Sequence, residues 1–119
     1  MIMITSNSEQ EAKTIIEKLL KNKLIACGNL IGPISSSFWW KDSIETSKEY
    51  LILVKSRNDL FNKIKKEVLR LHSYEIPEII VFPIINGSKE YLKWINKSLL
   101  KDWQQLKYIY VLKSLKYYN

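Results

Sequence analysis

Two stretches of this chain, LILV at 51–54 and IIVFPI at 79–84, carry apolar residues at consecutive positions. Both are short enough to be strands. Successive side chains of a strand point to opposite faces of its sheet, so an unbroken apolar strand needs cover on both faces. Trp39 and Trp40 set the same condition, because adjacent tryptophans on one strand cannot enter one core. The chain has 119 residues, 46% of them hydrophobic, from which to build two buried sheet faces. That length fits a single domain, large enough to hold a core without disulfides or structural zinc.

The rest of the pattern places the other elements. Ile2-Met3-Ile4-Thr5 reads as a short buried strand. Ser8 stands three residues before Glu11, the spacing of a capping box. Ala12, Ile15, Ile16, Leu19 and Leu20 come next at the helical period and predict a helix over about 9–22. Residues 24–40 are rich in strand formers, with a bulge or kink expected at Gly28 and Gly32-Pro33. The polar segment 41–47 predicts a turn and 48–56 a strand, so 24–56 forms a long, bent hairpin. Asn58 or Asp59 caps a second helix, which carries Leu60, Phe61, Ile64, Val68, Leu69 and Leu71 on one stripe and ends near His72. Residues 79–84 make a fourth strand that Pro83 brings to its end. Asn86-Gly87-Ser88 opens a third helix, marked by Tyr91, Leu92, Ile95 and Leu99.

The order βαββαβ, with a helix and a tail after it, predicts an α+β fold of the ferredoxin-like split βαβ kind. Residues 1–99 form that domain, and 100–119 an extension packed on or beside it. Two helices cover one face of such a sheet. The second apolar face then predicts self-association, because exposed apolar area of that extent marks an interaction surface. A tail folded back over it is the alternative.

Net charge is +7, yet of the 19 basic residues only Arg57 and Arg70 are arginine. Arginine is the residue suited to bidentate phosphate and base contacts, and the lysines are spread along the chain. A nucleic-acid partner is not expected. No stretch approaches the roughly 20 apolar residues of a membrane span, and no secretory pattern precedes the strand that begins at Ile2. The chain is therefore expected in the cytoplasm, with no membrane partner. A lone cysteine, Cys27, excludes an intramolecular disulfide and a CxxC zinc site. It suits a reducing compartment, and its apolar strand setting predicts an inert core thiol.

The segment LHSYEIPEIIVFPI at 71–84 holds the single histidine. His72, Glu75 and Glu78 are donors suited to a divalent ion. A metal needs three or four convergent ligands, however, and Pro77 holds Ile76 extended. Capping of the second helix by a positive His72 is the competing role. Symmetry in a trimer can bring ligands from two chains together. No P-loop, GxGxxG or HExxH pattern is present.

Together KLLKNKLIACGNLI at 18–31, SSFWWKDSIE at 36–45, EYLILVKSR at 49–57 and LHSYEIPEIIVFPIINGSKEYLKWI at 71–95 resemble the CutA family of divalent-cation tolerance proteins. The resemblance covers roughly residues 1–98. It implies a tight homotrimer of ferredoxin-like subunits with strands extended across subunit boundaries. It also implies a non-enzymatic protein that binds divalent or heavy-metal cations in the response to metal ions. Copper or zinc would be held weakly by His72, Glu75 and Glu78, with no cofactor obligatory. Trp40, Tyr50, Lys55, Tyr74 and Glu75 match an inter-subunit cleft. The chain departs from the family in places. Ser73 stands where proline is usual, and Gly28 alters the ACVN-like segment. Ile4 and Leu71 occupy positions where some copper-binding members have a cysteine and a second histidine.

Two other readings share the architecture. A regulatory trimer resembling the PII signalling proteins would hold a small anion against Lys55 and Arg57. An RRM-like RNA-binding sheet would need exposed aromatics, and KEYLILVKS at 48–56 lacks that pattern.

Overall fold

The computed structural model describes residues 1–101. The elements are β1 (Ile2–Ser6), α1 (Glu9–Lys21), β2 (Cys27–Trp40), β3 (Ser43–Lys55), a 3-10 turn (Asn58–Leu60), α2 (Phe61–Leu71), β4 (Ile79–Val81) and α3 (Lys89–Ser98). The extension expected beyond Lys101, Trp103 included, lies outside the described residues. The four strands form one sheet in the order β2-β3-β1-β4, and every neighbouring pair is antiparallel. β1 and β2 therefore run the same way with β3 between them, and α1 makes the crossover.

Helix α1 starts where the Ser8 spacing placed it, with the Glu11 N–H donating to Ser8 Oγ at 3.1 Å. The Glu11 carboxylate does not return to Ser8; it is used elsewhere. The helix ends in a Schellman motif, with Lys23 at φ 55° and N–H bonds from Lys23 to Leu20 O and from Leu24 to Leu19 O, each 3.0 Å. Leu19 and Leu24, which this motif brings together, are both buried. Ala12, Ile15 and Leu19 of α1 and Ile64 and Val68 of α2 close over Ile2, Ile4, Ile52 and Val54 of the sheet. Gly28 is not a bulge: it pairs with Val54, and a Cβ there would meet the Ile16 side chain at 2.7 Å. The missing side chain lets α1 lie close on β2.

The hairpin differs from expectation at its tip. Residues 43–47 are strand, and the turn is only Lys41-Asp42, at φ 49° and 66°. Two residues with positive φ match the twist of the flanking strands. The polar side chains read as a turn are cross-strand partners instead, as Ser37 Oγ and Thr46 Oγ1 show at 3.0 Å. The expected irregularity at Gly32-Pro33 is present, as a register shift between Ile31 and Ile34. Strand β4 is shorter than expected. Phe82 N–H still donates to Met1 O at 2.7 Å, but Pro83 has no N–H to continue the ladder.

Both faces of the sheet are apolar. On the face away from α1 and α2, Met3, Leu51 and Leu53 are half-buried, while Ile31 and Ile80 are 46% and 42% exposed. The hairpin tip is bare on both sides, with Trp39 71% exposed beside Phe38, Trp40 and Ile44.

Candidate functional site

The corner between α2 and β4 is where the described polar side chains converge. His72 closes α2, its N–H donating to Val68 O at 2.9 Å, and the backbone then turns extended. Its ring does not address the last helix carbonyls, so the helix-dipole role is replaced. The imidazole is fully buried and points across to β1, with Nε2 2.6 Å from Thr5 O. Tyr74 N–H donates to Nδ1 at 3.0 Å. A carbonyl only accepts and a peptide N–H only donates. The ring is therefore held as the neutral tautomer with its proton on Nε2, and both nitrogens are engaged.

Two carboxylates complete the corner. Glu11 accepts from Ser6 Oγ and, at 2.7 Å, from the Ser73 N–H; its Oε2 lies 3.8 Å from His72 Nδ1. Burial pushes the Glu11 carboxyl up, but the hydrogen bonds from Ser6 and Ser73 outweigh it and hold the group below the usual glutamate range. Tyr74 packs tilted against the His72 ring, 4.8 Å between centroids, and donates from its hydroxyl to Glu49 Oε2 at 2.9 Å. Burial, with the Glu49 carboxylate beside it, pushes the Tyr74 phenol up to about 12. Glu49 is buried on the β3 face that also carries Leu51 and Leu53. This network ties β1, β3, α1 and the α2–β4 loop together.

His72, Glu75 and Glu78 are not brought together as a metal centre within one chain. Among the described residues no three His, Cys, Asp or Glu side chains form a group that could hold a metal ion. Glu75 and Glu78 are exposed, and His72 would have to give up Thr5 or Tyr74 to ligate. Among the described residues, one chain's donors do not fit a divalent ion. Cys27 lies at the far end of the hairpin from its turn, half-buried rather than in the core. Its Sγ is 3.9 Å from both Lys55 Nζ and Asn29 Oδ1, and Lys55 donates to Asn29.

The expected cleft residues occupy three places along the hairpin. Trp40 pairs with Ser43 at the tip, Tyr50 pairs with Ser6 near the corner that holds Tyr74 and Glu75, and Lys55 lies at the other end of β3. From Ser43 to Lys55 the strand runs about 40 Å at roughly 3.3 Å per residue. Trp40 and Lys55 of one chain cannot line one cleft. Ser6, Glu11 and Glu49 are site residues that the sequence pattern did not single out. Glu11 was legible only as half of a capping box.

Comparison with known proteins gives a consistent picture. The family model for the CutA1 divalent ion tolerance protein matches residues 1–98. The divalent-cation tolerance protein CutA of Archaeoglobus fulgidus is 43% identical over 82% of this chain and 95% of its own length. The corresponding protein of Thermus thermophilus is 37% identical over the same shares. The solved structure of the Thermus thermophilus protein superposes with a TM-score of 0.82 at 36% identity, over 83% of this chain and 96% of that one. A solved structure described as the periplasmic divalent cation tolerance protein CutA of Archaeoglobus fulgidus gives 0.79 at 43% identity, over 82% of this chain and 94% of that one.

Proposed function

The chain belongs to the CutA1 divalent ion tolerance family, and from that premise we propose that it acts without catalysis, as a homotrimer of ferredoxin-like subunits that binds divalent or heavy-metal cations in the response to metal ions. One observation carries the reading. The face bearing Met3, Ile31, Leu51, Leu53 and Ile80 is apolar and has no cover from α1 or α2. A trimer closes as a ring of heterologous contacts, in which such a face is buried against a different surface of the neighbouring subunit. The cation site then belongs to a subunit boundary. The exposed Glu75 and Glu78 supply oxygen ligands from one chain, beside the corner that His72 shapes, and the remaining donors come from a neighbour. The cleft of Trp40, Tyr50, Lys55, Tyr74 and Glu75 is likewise assembled from more than one chain, since a hairpin tip reaches a distant corner only on another copy.

The PII-like reading has less support. Lys55 is engaged by Asn29, and Arg57 by Asp59, Asn96 and the Leu100 carbonyl, so neither cation is poised for an anion. The RRM-like reading meets an aliphatic sheet face where it needs aromatic platforms. Among the described residues no helix is long and apolar enough to cross a membrane. A cytoplasmic setting, which suits a free thiol at Cys27, is part of the proposal.

Native mass spectrometry with and without Cu²⁺, Zn²⁺ and Cd²⁺ tests the reading. The expected result is a three-chain mass that takes up metal, with uptake weakened in Glu75→Gln/Glu78→Gln while the three-chain mass is kept. Metal uptake unchanged in that double variant would place the site elsewhere.

A further inference from the structure

Between β4 and α3 the chain runs from Phe82 to Ser88 with neither helix nor strand, and Asn86 and Gly87 stand exposed within it. The peptide N–H of Gly87 is directed at the side chain before it, donating to Asn86 Oδ1 at 2.9 Å. That contact folds the Asn86 carboxamide back on its own backbone and sets its carbon beside the Gly87 nitrogen. The two atoms that would have to bond are already neighbours, the arrangement in which an intramolecular reaction gains most from proximity. Gly87 has no side chain to cross that path, and a Cβ added there would stand 3.2 Å from the Leu92 side chain.

Asn86 is the only asparagine of the sequence followed by glycine. Glycine is also the residue whose backbone most readily takes up the conformations that closing a small ring demands. Asn7 precedes a serine, the next smallest follower, but the Ser8 N–H turns to Ser6 Oγ at 3.4 Å. Asn96 lies inside α3, where the following N–H belongs to the helix ladder.

We propose that Asn86 is a self-modification site, converted to aspartate and isoaspartate through attack by the Gly87 nitrogen. That nitrogen gives up its proton to water or hydroxide and bonds to Asn86 Cγ. The Cγ–Nδ2 bond breaks, and the side-chain nitrogen takes up a proton from solvent and leaves as ammonia. Water then opens the cyclic imide. Opening at Cγ restores the original backbone and leaves aspartate. Opening at the Asn86 main-chain carbonyl carbon leaves isoaspartate, with the backbone rerouted through Cβ and Cγ. Water is the only co-reactant, and nothing is oxidised or reduced.

Either product adds a negative charge to a chain of net charge +7. In the aspartate form the new carboxylate lies two positions before Ser88, the N-cap of α3, which makes no side-chain cap bond of its own. The positive end of a helix favours such a charge. In the isoaspartate form an extra methylene lengthens the link into α3, whose Ile95 is buried and whose Asn96 accepts from Arg57. The two products thus act on α3 in opposite directions. The inference is independent of the cation reading, because it uses neither the His72 corner nor the face that carries Leu53.

The full folded chain, aged in H₂¹⁸O at mildly alkaline pH and then digested in ordinary water, tests the assignment by peptide mass spectrometry. The peptide that holds Asn86 should gain the mass of an amide-to-acid exchange with ¹⁸O retained, ahead of every other asparagine-bearing peptide. Electron-transfer fragmentation should find both acids at position 86. The exchange should be absent in Asn86→Gln and slowed by about an order of magnitude or more in Gly87→Ala. Comparing Asn86 with Asn7 in one parent sample requires no variant to fold. An Asn86 that stays intact, or that changes no faster than Asn7, overturns the proposal. So does equal conversion in a folded Gly87→Ala chain, which would show that the approach of this nitrogen does not govern the reaction.

Discussion

Ile52 and Leu53 are neighbours on β3 with similar side chains, and the fold treats them in opposite ways. Ile52 is 0% exposed, enclosed by α1, α2 and β1, whereas Leu53 faces away from the helices and is only half-buried. The alternation of a strand sends one residue to a core the chain completes itself and the next to a face that α1 and α2 leave open. Apolar character alone therefore does not identify the internal core. What distinguishes the two positions is whether cover comes from the same chain.

The largest effect is expected on the closed side. Ile52→Ala should cost about 2–5 kcal/mol, the range for emptying a packed aliphatic site, as read from urea unfolding. Leu53→Ala should cost less when chains are too dilute to assemble. Equal losses at the two positions under that condition would erase the difference between the faces.

A smaller effect is expected at the corner that joins them. The Glu11 carboxyl is held below its usual range in the fold, so the ionised form is favoured there relative to the unfolded chain. Its contribution is fully present above the unfolded value, about 4.3, and is lost as pH falls through the folded value. The acid-unfolding curve of Glu11→Gln should accordingly be flatter than the parent's below about pH 4.3. Parallel curves would mean that Ser6 and Ser73 do not stabilise the charged form.

Much of this was legible in the chain. Helical periodicity marked Ala12, Ile15 and Leu19, and the later Ile64 and Val68, as core, and the structure buries all five. Continuous apolar runs announced two apolar faces. At the hairpin tip Ser43, Glu45 and Ser47 look like loop residues, whereas register makes them strand partners of Trp40, Phe38 and Ser36. The corner was only half legible. A lone histidine beside acids pointed to residues 72–78, but what fixes the ring is Thr5 O and the neighbouring Tyr74 N–H. Glu11 and Glu49 join through contacts far apart in sequence, and local spacing carries no trace of them. Glu11 satisfied a capping pattern with its N–H while its side chain went to Ser73.

Sedimentation velocity on the parent and on Leu53→Lys, at sub-micromolar concentration, addresses the open face most directly. The parent should sediment as three chains. Leu53→Lys should sediment as single chains with its helices intact by circular dichroism, because a charge on that face cannot be buried unpaired. A parent that is already a single chain, or a Leu53→Lys variant that remains a trimer, would contradict the assignment of this face to self-association.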